Sequence, residues 1–194
     1  MPEIRAFEYS LGLITVLVGL GLADLATSLH RLMRVQPIRQ WDVRMILAGL
    51  YAGLMLVSMW FNVWSIRDRP EVRTYFHYLW TIAEFLLLFL LAAESLPDEP
   101  TLEVAEGHYD RVRVRFWTIA LFFHLSVFAH WLYFRSRQPV SFFTDLDAAD
   151  VFFQSAALVV PAALIWRRER RIHIAGLIIL IVGIVFAFRS QSMN

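Results

Sequence analysis

The sequence predicts an all-α fold: one integral membrane domain over residues 1–194, built as a bundle of six transmembrane helices. Its composition is 58% hydrophobic and only 18% charged, which is more apolar than a soluble domain of this length needs to form one core. Six apolar segments each approach the ~20 residues that a helix needs to cross ~30 Å of hydrocarbon. They lie at residues 9–29, 44–66, 74–95, 114–134, 148–166 and 172–189.

These segments are too long and too continuously apolar to be the alternating strands of a membrane barrel, so helices are expected to satisfy the backbone in lipid. The opening MPEIRAFEYS carries one arginine and two glutamates. It lacks the basic start of a cleaved signal peptide, and we expect the first helix to be retained. The chain contains no cysteine, which excludes disulfides, thiolate metal sites and cysteine nucleophiles.

All eighteen Lys/Arg positions are arginine, and their distribution predicts an orientation. Eleven arginines fall on one side of the predicted bundle: Arg31, Arg34, Arg39, Arg44, Arg111, Arg113, Arg115, Arg167, Arg168, Arg170 and Arg171. Seven fall on the other side: Arg5, Arg67, Arg69, Arg73, Arg135, Arg137 and Arg189. By the positive-inside rule the side with eleven arginines is cytoplasmic, and both termini lie outside.

Some of the predicted cytoplasmic arginines are expected to contact anionic lipid headgroups, because positive charge beside a membrane attracts such lipids. These arginines are Arg31, Arg44, Arg167, Arg168, Arg170 and Arg171. The lipid bilayer is therefore the first expected partner, and nucleic acid is not expected.

Small residues recur at helical spacing in three of the predicted helices and favour close helix packing. In the first helix they are Gly12, Thr15, Gly19, Ala23 and Ala26. Gly49 and Gly53 repeat the pattern in the second helix, and Gly176 and Gly183 repeat it in the sixth. The leading interpretation is packing within one subunit, and the alternative is a dimer interface. We also expect a homo-oligomer or a membrane-protein partner, because one chain offers few helices to enclose a pathway.

The motifs FEY, GLGLADLATSLHRLMR, MWFNVW and RRIH occur at residues 7–9, 19–34, 59–64 and 170–173. With these motifs, nearly the whole chain resembles a group of small six-helix bacterial inner-membrane proteins. The resemblance implies a fold and a location in the bacterial inner membrane. It implies no activity.

Two acids lie deep in predicted spans, where an ionisable side chain costs at least ~2.5–3.5 kcal/mol and needs a partner or water. Glu84 is near the middle of the third segment, and Asp24 is about 9 Å past the middle of the first. One interpretation is a path for protons or cations, formed by both acids with Ser28 and Gln154. The other is ordinary pairing, of Asp24 with Arg31 or Arg44 and of Glu84 with Gln154 or His124.

The histidines suggest a second hypothesis, a haem or pigment site. His77 and His130 match in depth near the outer face, as His30 and His173 do near the inner face, and paired imidazoles are the axial ligands of membrane cytochromes. His124, with small Ala120 one turn before it, is a further possible ligand. Simple interfacial aromatic clustering explains the same residues, and the expected cofactor is none or a tetrapyrrole.

The loop before the fifth helix carries Asp145, Asp147 and Asp150. A calcium loop would also need a glycine turn and a bidentate glutamate, which this stretch does not contain. Capping of the next helix is the preferred interpretation, and no metal site is predicted.

Three functional hypotheses follow. The leading one is passage of a proton, cation or small solute through intramembrane carboxylates. The second is a non-catalytic membrane subunit or scaffold, and the third is a haem or pigment carrier. An enzyme is not expected, because no nucleophile and base pair occurs at helical spacing.

Overall fold

The computed structural model describes residues 2–35, 37, 40–66, 74–99, 107–136 and 148–188. Within these ranges the side chains of residues 2–10, 134, 135, 148–151, 153 and 188 are outside the description. The described chain is all-helical, with six helices and no strand. They are α1 (Pro2–Val35), α2 (Val43–Ser65), α3 (Tyr75–Ser95), α4 (His108–Arg135), α5 (Ala148–Trp166) and α6 (Arg170–Phe188).

The observed bounds differ most from the predicted ones at α1 and α4. Helix α1 extends past both ends of its apolar segment, and α4 begins at His108 rather than at residue 114. The early turns of α4 are polar in sequence but bury His108, Tyr109 and Arg113 inside the bundle. Hydropathy alone starts the predicted helix too late there, because these polar side chains are satisfied by protein partners rather than by water.

Five of the helices, rather than the six predicted, are long and apolar enough to cross a membrane. The qualifying stretches are Leu11–Val35, Val43–Ser65, Tyr75–Ser95, His108–Tyr133 and Arg170–Ala187. Helix α5 offers only Gln154–Trp166 as a described apolar stretch. At 1.5 Å per residue this covers about 20 Å, which is short of the ~30 Å hydrocarbon core.

The helices form a closed ring of neighbours. Helix α1 packs on α2 and α3, α3 on α4, α4 on α5, α5 on α6, and α6 on α2. Helix α2 also contacts α3 and α4 across the middle. The fully buried side chains of Tyr51, Leu56, Leu88 and Trp117 come from these three central helices.

Side-chain contacts show that successive helices run antiparallel, which gives the bundle two distinct ends. Arg44 near the start of α2 meets Asp110 near the start of α4, whereas His77 near the start of α3 meets His130 near the end of α4. We call the end that holds Arg44 the basic end and the opposite one the terminal end, where α1 begins and α6 ends. Several of the arginines predicted above have side chains outside the described residues: Arg5, Arg39, Arg67, Arg69, Arg73, Arg135, Arg137 and Arg189.

Large apolar side chains cover much of the outer surface. Val159 is 63% exposed, Val182 is 56% exposed and Leu90 is 48% exposed. A water-soluble domain rarely exposes so many large apolar side chains, whereas lipid tails accept them. The surface therefore agrees with the composition in indicating a membrane environment.

Some of the small residues pack against other helices of the bundle, and others face open space. A Cβ atom added to Gly49 would contact Leu96 at 3.4 Å, and one added to Gly176 would lie 2.8 Å from a Leu164 methyl, so both glycines allow close approach inside the bundle. Gly12 and Gly19 of α1 face open space instead. Packing within the subunit is thus confirmed at Gly49 and Gly176 but is wrong for Gly12 and Gly19.

Candidate functional site

Glu84 is the most deeply buried acid of the described chain. It lies near the middle of α3 and is 0% exposed. Its partners come from α4: the Ser126 hydroxyl donates to Oε1 at 3.1 Å, and His130 Nδ1 lies 3.3 Å from Oε1 and 3.4 Å from Oε2. The expectation of Gln154 or His124 as its partner is wrong, because His124 bonds to another residue and Gln154 lies on α5.

A second histidine continues this chain of hydrogen bonds toward the terminal end. His77 Nδ1 lies 2.8 Å from His130 Nε2, and its own Nε2 lies 3.4 Å from the Thr81 hydroxyl. His77 is 4% exposed and His130 is 8% exposed. The predicted match in depth between the two histidines is therefore a direct contact.

Trp80 covers the same cluster from one side. Its indole N–H donates to the Ser126 hydroxyl oxygen at 2.7 Å. Its ring stacks on the His130 imidazole, with centroids 4.7 Å apart and planes 11° from parallel. We call the cluster the histidine–carboxylate network, whose members are His77, Trp80, Thr81, Glu84, Ser126 and His130.

Helical spacing explains how two helices build this network. His77, Thr81 and Glu84 follow each other at i, i+4 and i+7 and so share one face of α3. Ser126 and His130 are four residues apart on α4. Thr81, Trp80 and Ser126 were not among the site residues predicted from the sequence, although the spacing on α3 could have identified Thr81. Only the packing of α3 on α4 could identify Ser126.

The network can transfer a proton without rotation of either imidazole. With Glu84 ionised, His130 Nδ1–H donates to the carboxylate and His77 Nδ1–H donates to His130 Nε2. A proton that arrives on His77 Nε2 can then release the Nδ1 proton to His130, which in turn releases its own Nδ1 proton to Glu84. The end state holds neutral Glu84 and two neutral imidazoles protonated on Nε2, so one proton has been taken up.

Asp24 and Ser28 do not join this network. Asp24 is only partly buried, and its electrostatic neighbours are Arg31 and Asp98 at the basic end. From Glu84 to the end of α3 at Ser95, before Asp98, the axial distance is about 16 Å at 1.5 Å per residue. Ser28, also on α1, is buried. The two acids therefore have different surroundings, and the structure does not bring them together into one path.

The proposed pairing of Asp24 with an arginine is not observed either. The Arg31 guanidinium donates to the Asp98 carbonyl oxygen at 2.7 Å, and that of Arg44 binds Asp42 and Asp110. No hydrogen bond or ion pair of Asp24 occurs among the described residues.

The histidine geometry does not fit a tetrapyrrole held between His77 and His130. Two trans imidazole ligands need their nitrogens about 4 Å apart, twice a metal–nitrogen bond of ~2.0 Å, whereas these nitrogens are 2.8 Å apart. His124 Nε2 contacts the Tyr51 hydroxyl at 2.6 Å. His173 contacts Tyr109 at 2.8 Å, and His30 is exposed.

A second polar cluster joins the helices at the basic end. Arg44 is 7% exposed, and its guanidinium binds Asp42 at 2.7 Å and Asp110 at 2.9 Å while lying over the Tyr109 ring. Arg113 donates to carbonyl oxygens at the end of α5. The expectation of lipid contact is therefore wrong for Arg44, because its guanidinium binds protein partners instead.

The ionised carboxylate of Asp42 is predicted to stabilise the basic end, and this stabilisation is lost in acid. Burial on its own raises the pKa of Asp42, but the hydrogen bonds from Arg44 and the nearby positive charges of Arg44 and Arg170 outweigh it and hold the pKa below its ordinary value of 3.8. The resulting stabilisation is present above pH 3.8 and is lost as the pH falls through the lowered folded-state value.

We expect the melting temperature of the wild type in detergent to fall between pH 4 and about pH 2, and that of Asp42→Asn to fall less. Asparagine can still cap the start of α2, as Asp42 does, so the comparison isolates the charge. An equal acid loss in both proteins would show that Asp42 is not the responsible group.

The remaining predicted lipid-contact arginines lie on the surface of the basic end. Arg167, Arg168, Arg170 and Arg171 are exposed around the turn between α5 and α6. Arg31 is exposed as well, although its guanidinium also holds the Asp98 carbonyl. Arg170 also forms an ion pair with Asp42, with 3.9 Å between Nη2 and Oδ1. Contact of these five arginines with lipid headgroups stays a prediction.

Metal ligands do not converge within the described chain: it contains no group of three or more histidine, aspartate or glutamate side chains arranged to hold a metal ion. Asp145 and Asp147, and the side chain of Asp150, lie outside the described residues.

Comparison of the chain with protein families, with characterised proteins and with solved structures finds no match in any of the three. The site is thus interpreted from its own contacts. Among those contacts, the histidine–carboxylate network combines a fully buried acid with a continuous hydrogen-bonded route toward one end of the bundle.

Proposed function

We propose that this chain is a proton carrier of the bacterial inner membrane, with Glu84 as its central proton-binding group. The observation that carries the proposal is the hydrogen-bonded series His77, His130 and Glu84, which ends on a carboxylate that is 0% exposed. Proton relays in membrane proteins are typically built from intramembrane acids and histidines.

A proton fits the network better than a larger substrate does. Glu84 accepts its hydrogen bonds from Ser126 and His130 rather than presenting several oxygens to an ion. The atoms form a linear series of donors and acceptors, and a linear series moves protons by transferring one at each bond. Metal cations need several ligands around one point.

Among the described contacts, the hydrogen-bonded series runs from Glu84 toward the terminal end as far as His77, and we take this one-sided arrangement to favour a carrier over an open channel. Beside Glu84, the Ser126 hydroxyl accepts the Trp80 indole N–H, and Trp80 lies one helical turn from Glu84 toward the terminal end. The indole cannot accept a proton, so this branch does not carry the proton onward to the basic end. Release toward the basic end then requires a second conformation that connects Glu84 to that side.

We place the chain in the membrane with all six helices crossing it, both termini outside and the basic end in the cytoplasm. The positive-inside rule supports this orientation, and α5 is antiparallel to its neighbours α4 and α6. The exposed arginines of the α5–α6 turn, Arg167, Arg168, Arg170 and Arg171, would then lie against anionic headgroups.

Proton uptake into proteoliposomes tests the proposal. Under an inward-directed driving force we expect the wild type to acidify the lumen and Glu84→Gln to reduce the flux to that of protein-free vesicles. Glutamine keeps the size and one hydrogen-bond acceptor but removes the titratable group. Asp24→Asn is the matched control and should retain the wild-type flux. Unchanged flux in Glu84→Gln would overturn the proposal.

A second candidate function is a membrane subunit or scaffold, alone or as a homo-oligomer. It is supported by the outward-facing small residues of α1, where Gly12 and Gly19 face open space and Ala23 and Ala26 are exposed. Such a surface permits close approach of another helix. Absence of flux in the purified chain, together with a copurifying membrane protein that is lost in Gly19→Leu, would favour this candidate.

A further inference from the structure

Trp80 and Ser126 have a role that the transfer of a proton from His77 to Glu84 does not by itself require. Both contact the series His77, His130 and Glu84 from the side, and neither lies between the two histidines and the acid. Their contacts form a short directional series: the Trp80 indole donates to Ser126, and Ser126 donates to Glu84 Oε1.

The direction of this series follows from the chemistry of the groups. An indole nitrogen carries a hydrogen and only donates, whereas a hydroxyl has one hydrogen and can accept as well. A serine hydroxyl has one hydrogen and two acceptor lone pairs, so the Ser126 oxygen can accept from Trp80 at 2.7 Å while its hydrogen is donated to Glu84 Oε1 at 3.1 Å.

We infer that Trp80 and Ser126 are positioning residues that give the two oxygens of Glu84 different roles. Ser126 holds Oε1 as a hydrogen-bond acceptor in both protonation states, and the proton is placed on Oε2. His130 Nδ1 is within reach of both oxygens, at 3.3 Å from Oε1 and 3.4 Å from Oε2. This inference rests on the proposed function, since it concerns where the transferred proton resides.

The same arrangement keeps the acid aligned with its proton donor. A carboxylic acid that turned about its side-chain torsion would exchange its oxygens and could point its proton away from His130. Ser126 opposes that turn by holding Oε1, and Trp80 holds both Ser126 and the plane of the His130 ring, on which it stacks. Proton return to His130 is thereby kept available.

Infrared difference spectroscopy of the purified full-length protein at high and low pH tests this assignment. The carbonyl stretch of protonated Glu84 is identified by its loss in Glu84→Gln. In the wild type the carbonyl oxygen is Oε1, which accepts from Ser126, so the stretch is lowered. Ser126→Ala removes that donor and should shift the band to higher wavenumber, and Ser126→Thr should restore it.

Trp80→Phe provides an independent variant, because phenylalanine keeps an aromatic ring near His130 but has no N–H. We expect a broader band that is displaced toward that of Ser126→Ala, while the exposed serine control Ser155→Ala leaves the band in place. A Glu84 band that Ser126→Ala does not move would overturn the positioning role and leave proton binding intact. Absence of any Glu84 band in the wild type would overturn both proposals.

Discussion

His130→Phe is expected to slow proton loading of Glu84 by about 10²-fold or more, within the range that one positioned proton-transfer group contributes. Phenylalanine retains a ring that can stack on Trp80 but removes both nitrogens that link His77 to Glu84. The acid itself remains in place. Stopped-flow proton uptake by proteoliposomes after a pH jump measures the rate.

His124→Phe is the matched control for this prediction. It changes a buried histidine of the same helix whose partner is Tyr51 rather than a member of the network. We expect it to retain a rate within a few-fold of the wild type. Circular dichroism of both variants checks that the helices are intact. Equal rates in His130→Phe and the wild type would mean that protons reach Glu84 by another route.

Arg44→Met is expected to lower the free energy of unfolding by about 2–3 kcal/mol, because it removes a buried guanidinium and the hydrogen bonds that this group donates to Asp42 and Asp110. The effect lies below that of a fully buried pair, since the Asp110 side chain is 58% exposed. Methionine keeps much of the length and apolar stem of arginine, which limits any cavity.

Arg168→Met supplies the comparison for Arg44→Met. Arg168 is exposed beside the α5–α6 turn, and surface substitutions of this kind usually stay within ±0.5 kcal/mol. Reversible unfolding in mixed detergent micelles measures both variants. If the two proteins had the same unfolding free energy, Arg44 would not be a stabilising element of the basic end.

Hydropathy predicted the helical class and located all six helices, because long apolar runs in lipid leave little choice but helices. It also identified Glu84 as unusual, since a carboxyl group in mid-helix stands out against its neighbours. The limits of α1 and α4 and the short apolar part of α5 were harder to predict. Hydropathy does not reveal which polar side chains, such as Arg113, are satisfied inside the protein.

The contacts between helices could not be predicted from the sequence alone. Depth matching placed His77 and His130 at one level, but an axial ligand pair and a hydrogen-bonded pair require the same depth and differ only in the distance between the nitrogens. The surroundings of the two acids were equally hard to predict, because Asp24 on α1 and Glu84 on α3 lie on neighbouring helices. Only the rotation of α3 decides that Glu84 faces α4 rather than α1.

Burial of Glu84 is tolerable because its oxygens are satisfied by protein donors. A charged group in mid-membrane costs at least ~2.5–3.5 kcal/mol on insertion scales, and hydrogen bonds to charged groups contribute about 1.5–3 kcal/mol each. Ser126 and His130 supply two such bonds. A group whose two protonation states are both supported by its neighbours is suited to reversible proton binding.

In the proposed function, Glu84 binds a proton delivered from the terminal end. The most direct test of this delivery is infrared difference spectroscopy on oriented proteoliposomes, with the pH stepped on one side of the membrane at a time. We predict a carboxylic-acid carbonyl band that appears on acidification of the terminal-end side and is missing in Glu84→Gln. A band that is unchanged in Glu84→Gln, or that responds only to pH at the basic end, would contradict proton delivery to Glu84 from the terminal end.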